Sequence, residues 1–324
     1  MRYNCPVCPN NCSIADGGFG ICGVRSNRNG KAYLPYYGIL SAVSVDPIEK
    51  KPLYHFHPGK NILSVGFFGC SLSCPFCQNY RISKEFPGSQ SGSVSPADFV
   101  KSALERGTFG IAYTYSEPII HLEWVLETAT EAASHGLKNV LVTNGYINDE
   151  PGNELLKVMD AVNIDLKSFN PDFYHDELKA KLGPVLNFIK KAAAKTHIEV
   201  TSLIIPGKND SLKEIQESSS FLASIDKNIP FHLSAYYPSY KYSIPPTAPA
   251  SLLRLAEAAS EVLNFVYTGN ISGGRTNTHC PECGNLLVKR NGYSTLIIGA
   301  AGQKCKKCGK DLSSCSIVLS HRNS

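Results

Sequence analysis

The chain contains no apolar run approaching the ~18 residues that a membrane-crossing helix needs, which excludes a spanning segment. Its first residues, MRYNCPVC, lack the basic-then-apolar pattern of a secretory signal. A cytoplasmic protein with reduced thiols is therefore expected. Charge is scarce as well. Only 18% of residues are charged while 43% are hydrophobic, which excludes a disordered chain and supplies a core. Neither sign dominates: 32 Lys and Arg face 27 Asp and Glu, for a net charge of +5. That permits an acidic partner but falls short of the concentrated basic surface of a nucleic-acid binder. At 324 residues, the length suits about two domains, or one large α/β domain with appendages.

What the chain has in quantity is cysteine, twelve in all. Cys5, Cys8, Cys12 and Cys22 form a head group, Cys70, Cys74 and Cys77 a central one, and Cys280, Cys283, Cys305 and Cys308 a tail group; Cys315 stands apart as a free or buried thiol. Closely spaced cysteines in a reducing compartment read as soft thiolate ligands for zinc or iron–sulfur clusters rather than as disulfides.

Along the chain, a Cys-rich segment with short strands (1–58) precedes a run in which strand and helix patterns alternate (59–270), and a Cys-rich module closes the chain (271–324). Buried strands are expected at 62–68, 110–115, 139–143, 161–166, 197–205 and 231–236, with a short last strand at 265–267. Helices are expected at 96–106, 119–135, 152–159, 171–181, 185–196, 211–224 and 250–263, with a break at Gly183–Pro184. Ser89–Ser95 reads as a surface loop. Six β–α units argue for parallel strands with right-handed crossovers, in a doubly wound sheet or an incomplete barrel. In either, active groups lie beyond the C-terminal ends of the strands. Cys70, Cys74 and Cys77 follow the first of these strands, Ser116 and Glu117 the second and Asn144 the third; Asp165 and Lys167 close the fourth.

The central group carries the chemistry. In Gly69-Cys70-Ser71-Leu72-Ser73-Cys74-Pro75-Phe76-Cys77, three thiolates fall within eight residues, spaced C-x3-C-x2-C, with no fourth Cys nearby. A loop this short can wrap three corners of one cubane and leave the fourth iron open, and an open position separates a catalytic metal from a structural one. This motif, with Phe76 before its last Cys, resembles the radical S-adenosylmethionine family. The resemblance implies an α/β fold of partial (β/α)6 TIM-like barrel type and a [4Fe–4S] cluster on Cys70, Cys74 and Cys77. It also implies that S-adenosylmethionine is chelated at the open iron and cleaved by one electron from a donor such as flavodoxin or ferredoxin. The 5′-deoxyadenosyl radical so formed abstracts hydrogen from a substrate. Ser116-Glu117-Pro118 resembles the family's Gly-Gly-Glu-Pro segment, which holds the methionine amine. Thr143-Asn144-Gly145, Asp165-Leu166-Lys167 and Ile204-Ile205-Pro206-Gly207 resemble segments of pyruvate formate-lyase activating enzyme. The family's two glycines are Tyr115 and Ser116 here, the activase's acidic residue before Thr-Asn-Gly is Val142, and its strand-six His falls at Tyr237. These departures make the chain a cousin of the activase. The implied cofactor contacts are Phe76, Ser116, Glu117, Asn144, Asp165 and Lys167.

The head CPVCPNNCSI…GICGVRSN, the segment DPIEKKPLYHFHPG and the tail C-x2-C-x21-C-x2-C together resemble the AmmeMemoRadiSam-system radical enzyme, which implies Memo-like and AMMECR-like partners and assigns no substrate. Two function classes stand: a radical enzyme acting on a small molecule or a partner protein, including glycyl-radical activation, and a non-catalytic iron–sulfur redox partner. The intact Cys70, Cys74, Cys77, Glu117 and Asp165 favour the enzyme.

In the tail, Cys280, Cys283, Cys305 and Cys308 satisfy tetrahedral zinc with no open position, as in a zinc ribbon, with a rubredoxin-like iron as the rival. In the head, Cys5, Cys8, Cys12 and Cys22 suit zinc or a second iron–sulfur cluster, with zinc the nominal reading. His55 and His57 read as a solvated strand face, His121 as a surface or capping residue, and Tyr236, Tyr237, Tyr240 and Tyr242 as lining a substrate cavity.

Overall fold

The computed structural model describes residues 1–85 and 92–319. The first part of the expected Ser-rich loop, residues 89–91, lies outside them. One eight-stranded sheet organises the chain: β1 (Ala42–Pro47), β2 (Asn61–Gly66), β3 (Gly110–Thr114), β4 (Lys138–Thr143), β5 (Ala161–Asp165), β6 (His197–Ile204), β7 (Phe231–Ala235) and β8 (Val266–Gly269). Spatial order equals chain order, with β2 to β8 parallel and β1 antiparallel on β2. A doubly wound sheet reverses its strand order at a switch point. This one never reverses, so it curls one way, as a barrel does, and its end strands β1 and β8 are not paired with each other. The fold is α/β, a partial TIM-like barrel.

The crossovers are α1 (Pro96–Glu105), α2 (Leu122–Ser134), α3 (Asp149–Val158), α4 (Leu182–Ala193), α5 (Leu212–Ile225) and α6 (Pro249–Ala259). Ser95 caps α1 by accepting from the Asp98 amide, and Pro96 opens the helix, where its missing N–H costs nothing. The expected break at Gly183–Pro184 is instead the first turn of α4. The chain breaks earlier, after the short helix Pro171–Asp176, where Lys179 takes a left-handed φ of 54°. Trp124 of α2 fills the helix–sheet interface, edge-on to Phe67 and Phe99 at 5.5 Å each, with its indole N–H satisfied by the Val94 carbonyl.

The other ends of the strands are closed by a polar knot. Glu199, near the start of β6, is fully buried. It accepts from the Tyr54 and His55 amides at 3.0 and 2.7 Å, and from His197 and His232 Nε2 at 3.1 and 2.6 Å. His55 is fully buried rather than solvated, and its Nε2 meets Tyr267 Oη at 2.7 Å. The tail module packs at this end. Its three-stranded sheet (Thr278–His279, Leu286–Asn291, Ser294–Ile297) shares a core with Phe265 and Tyr267, and Arg290 donates to the Thr278 hydroxyl and the Tyr54 carbonyl. The head segment packs at the opposite end. There Asn148, before α3, donates from its side chain to the Pro6 carbonyl and from its backbone N–H to the Val7 carbonyl, and Arg25 makes a bidentate pair with Glu123 at 2.7 Å.

Candidate active site and metal centres

Beyond the C-terminal ends of the strands lies a cavity of about 260 Å³. Cys70, Cys74, Phe76 and Cys77 line it from the loop after β2, Ser116 and Glu117 after β3, Asn144 after β4, and Asp165 and Lys167 at the end of β5. All nine residues singled out in the central sequence thus share one wall-to-wall space.

The cysteine loop is tightly tied. Gly69 has a φ of 82°, and a Cβ there would sit 2.5 Å from the Cys22 carbonyl, so only glycine fits. The Leu72 amide points at Cys70 Sγ at 3.5 Å, Asn144 Nδ2 stands 3.7 Å from the same sulfur, and Cys77 Sγ lies 3.3 Å from Ser83 Oγ. Burial pushes the Cys70 thiol far up and that of Cys74 to about 11, so at neutral pH ligation depends on the positive charge of a metal. His121, expected at the surface, is instead buried and hydrogen-bonded to the Phe68 carbonyl at 2.8 Å, which holds the start of this loop.

Across the cavity, Glu117 is 1% exposed and accepts three hydrogen bonds, from Thr143 Oγ1 (2.7 Å), the Asn144 amide (2.8 Å) and the Ile119 amide (3.1 Å). Burial raises its pKa to about 7 against the pull of those donors. Lys167 Nζ meets Asp165 Oδ2 at 2.7 Å, because alternation along the strand end puts positions i and i+2 on one side. Burial alone would lower the Lys167 ammonium, but Asp165 and the Cys74 and Cys77 thiols hold it above its ordinary value. At the position where the resembled family has glycine, Tyr115 takes a left-handed φ of 71° and its hydroxyl reaches Asp46 at 2.7 Å, a carboxylate also paired with the buried Lys51. The side chain is thereby tied to β1, and its backbone keeps the conformation that a glycine would supply.

The sequence reading missed Thr201, Leu203, Ser234 and Asn270, which also line the cavity. Their only signal was a place near the ends of β6, β7 and β8. The tyrosines after β7 do not line it. Tyr236 is fully buried with its hydroxyl on the Tyr242 carbonyl, Tyr237 turns out to bond the Asn270 carbonyl, Tyr240 stacks on Tyr80 at 4.9 Å, and Tyr242 packs on Phe76 at 5.8 Å.

The Radical SAM superfamily profile matches residues 64–222. The chain is 38% identical over 320 residues to the uncharacterized protein MJ0808 of Methanocaldococcus jannaschii, spanning 96% of this chain and 95% of that one. It is 25% identical over 189 residues to the pyruvate formate-lyase 1-activating enzyme of Escherichia coli K12, spanning 54% of this chain and 76% of the enzyme. The chain belongs to the radical SAM superfamily. As a radical SAM enzyme it shares its fold with a radical SAM methyltransferase from Sphaerobacter thermophilus, at a TM-score of 0.53 and 15% identity over 68% of this chain and 71% of that one. Family membership implies a [4Fe–4S] cluster and S-adenosylmethionine, and the site's donors suit them: three soft thiols on one loop, and opposite them a buried carboxylate and an Asp–Lys pair with the polarity of an amino-acid zwitterion.

At the far end of the barrel, Cys280 and Cys308 Sγ lie 3.7 Å apart and Cys283 and Cys305 Sγ 3.8 Å apart. Zn–S bonds of about 2.3 Å in a tetrahedron place sulfurs ~3.8 Å apart, so the spacing fits one tetrahedral ion. Gly284 and Gly309 follow the second Cys of each pair with φ of 70° and 74°. Burial acts to raise the Cys305 thiol, but the backbone N–H groups of Cys308 and Lys307 and the Asn285 amide outweigh it and bring the pKa to about 6. The module is zinc-ribbon-like and able to bind a metal. Among the described residues no helix is long and apolar enough to cross a membrane.

Proposed function

We propose that Cys70, Cys74 and Cys77 hold the [4Fe–4S] cluster and that Phe76, Ser116, Glu117, Asn144, Asp165 and Lys167 bind S-adenosylmethionine beside it. Reductive cleavage there would generate the radical that abstracts hydrogen from a substrate. The observation that carries this reading is the single cavity that faces three thiols with Glu117 and the Asp165–Lys167 pair. When bound, the cluster supplies the electron and the open iron that chelates the amino acid. The chain's residues do the rest. Glu117, preorganised by three donors, presents a carboxylate to the cofactor's ammonium. Asp165 and Lys167 neutralise each other inside the barrel and still offer an acceptor and donors to a polar ligand. Phe76, wedged between Phe173 and Tyr242, fixes the spacing of the Cys74–Cys77 turn and helps exclude water.

The test is electron paramagnetic resonance of anaerobically reconstituted protein. Dithionite should give an S = 1/2 signal that changes shape when S-adenosylmethionine is added; a spectrum unmoved by the cofactor would remove the open iron from the account.

The raised Glu117 pKa adds a pH dependence. Glu117 is in its carboxylic acid form below about pH 7 and must release that proton to pair with an ammonium. Affinity for S-adenosylmethionine should therefore rise towards tenfold per pH unit below about 7 and level off above it. Equilibrium binding between pH 6 and 8 checks this, and Glu117→Gln should flatten the profile; a flat wild-type profile assigns the ammonium another partner.

A protein substrate is supported by the unpaired end strands β1 and β8, which leave the barrel open at its side, and by relatives whose names are those of activating enzymes. Installation of a glycyl radical on a partner is the alternative within this reading, with a flavodoxin- or ferredoxin-type donor. The head and tail cysteines and the DPIEKKPLYHFHPG segment support membership of the AmmeMemoRadiSam group and Memo-like and AMMECR-like partners, and zinc is the proposed ion of the tail site.

A further inference from the structure

We propose that Cys5, Cys8, Cys12 and Cys22 hold a second [4Fe–4S] cluster, ligated by protein at all four irons and so unable to chelate S-adenosylmethionine. Cys5, Cys8 and Cys22 are buried and Cys12 half-buried, and the Cys8 thiol lies within electrostatic reach of the other three. The group stands directly behind the central loop: the Cys22 carbonyl abuts Gly69, and Asn10 Nδ2 donates to the Ser71 carbonyl at 2.8 Å. Its sulfurs already accept backbone N–H groups, Cys12 from Ile21, Cys8 from Asn10 and Cys22 from Val24 and Arg25.

Spacing separates a cluster from a single ion. Among the described residues, the tail cysteines are the one set of three or more whose ligand atoms all lie within 4.8 Å of one another. Neither the head cysteines nor Cys70, Cys74 and Cys77 form such a set, and the family ligand of the central three is a cubane. A tetrahedral zinc draws its sulfurs to ~3.8 Å, whereas the irons of a cubane stand apart and spread the thiolates. Arg25 supplies an independent observation. It is 3% exposed, and its terminal nitrogens are taken by Glu123 and the Ile120 carbonyl. Its buried Nε meets no acceptor at strict hydrogen-bonding geometry among the described residues; the neighbour within looser hydrogen-bonding reach of the guanidinium is the Tyr3 phenol. The guanidinium lies within electrostatic reach of Cys5 and Cys22. A cluster offers sulfides to such a donor in addition to its thiolates; a zinc tetrathiolate offers thiolates alone.

The test uses the full chain, purified and reconstituted anaerobically with iron and sulfide. Wild type should carry about eight irons and the Cys70→Ala/Cys74→Ala/Cys77→Ala variant about four, with matching acid-labile sulfide. The reduced variant should show an S = 1/2 signal indifferent to S-adenosylmethionine. Cys8→Ser/Cys22→Ser should conversely keep about four irons and lose that indifferent signal. About four irons and about two zincs per wild-type chain would overturn the proposal, as would iron unchanged in Cys8→Ser/Cys22→Ser. The iron count in the triple variant does not depend on the central site, so failure of the proposed cofactor chemistry and failure of this proposal are told apart.

Discussion

Cys74→Ala should abolish formation of 5′-deoxyadenosine from S-adenosylmethionine in a protein that stays folded, whereas Cys283→Ala should keep the central cluster and lower the melting temperature sharply. The two cysteines serve opposite ends of the barrel. Cys74 lines the cavity, and its loop is held by hydrogen bonds that do not involve its own sulfur. Under the proposed assignment, losing it would remove a cluster ligand and no structural bond. Cys283 lies in a module whose own core is small and leans on Phe265 and Tyr267 of the barrel. A structural tetrathiolate zinc contributes ~10 kcal/mol or more to so small a unit, and loss of one ligand forfeits much of it. Cleavage assays and thermal unfolding on the same reconstituted samples check both halves. Equal loss of cleavage in two folded variants would refute the division between a catalytic and a structural site.

Glu199→Gln should destabilise the fold by ~3–5 kcal/mol, the cost of breaking a buried charged network. The carboxylate accepts four hydrogen bonds with no exposure to water, and it ties three parts of the chain: Tyr54 and His55 before β2, His197 in β6 and His232 in β7. A glutamine would turn an N–H group towards at least one of these donors. Although burial opposes it, hydrogen bonding to His197 and His232 holds the Glu199 pKa far below the ordinary value. A depressed carboxylate stabilises the fold above its unfolded pKa, near 4.5, and loses that contribution as pH falls below it. Stability of the wild type should therefore decline on acidification below about pH 4.5 more steeply than that of the variant. Chemical denaturation across pH 3.5 to 7 measures this, and parallel curves would assign the acid sensitivity elsewhere. Such a change should leave S-adenosylmethionine binding intact, because the knot and the cavity occupy opposite ends of the strands.

The central site was legible in the sequence because it is local. Three cysteines in eight residues must share one loop, and a strand that ends in Asp-Leu-Lys must present Asp165 and Lys167 on one side, as the 2.7 Å contact between them bears out. Alternating strand and helix patterns likewise made an α/β chain of parallel strands readable without coordinates. Misreadings arose where long-range packing governs. His55 and His121 look like surface residues by pattern, but the tail module and the cysteine loop cover them. The four tyrosines after β7 cluster in sequence, yet the turn sends them to different surroundings. Whether the sheet reverses, and so whether it is doubly wound or barrel-like, depends on which strands neighbour one another. Helix-connected units look alike in either case, and the monotonic order of β1 to β8 became visible only in three dimensions. The same holds for the outer cysteines. Spacing along the chain nominated both sets as metal ligands. Only tertiary structure drew the tail sulfurs to 3.7 and 3.8 Å, left the head sulfurs wider beside Gly69, and placed the two sets at opposite ends of the barrel. Distances between sulfurs are set by the packing of the segments that carry them, which residue spacing alone does not specify.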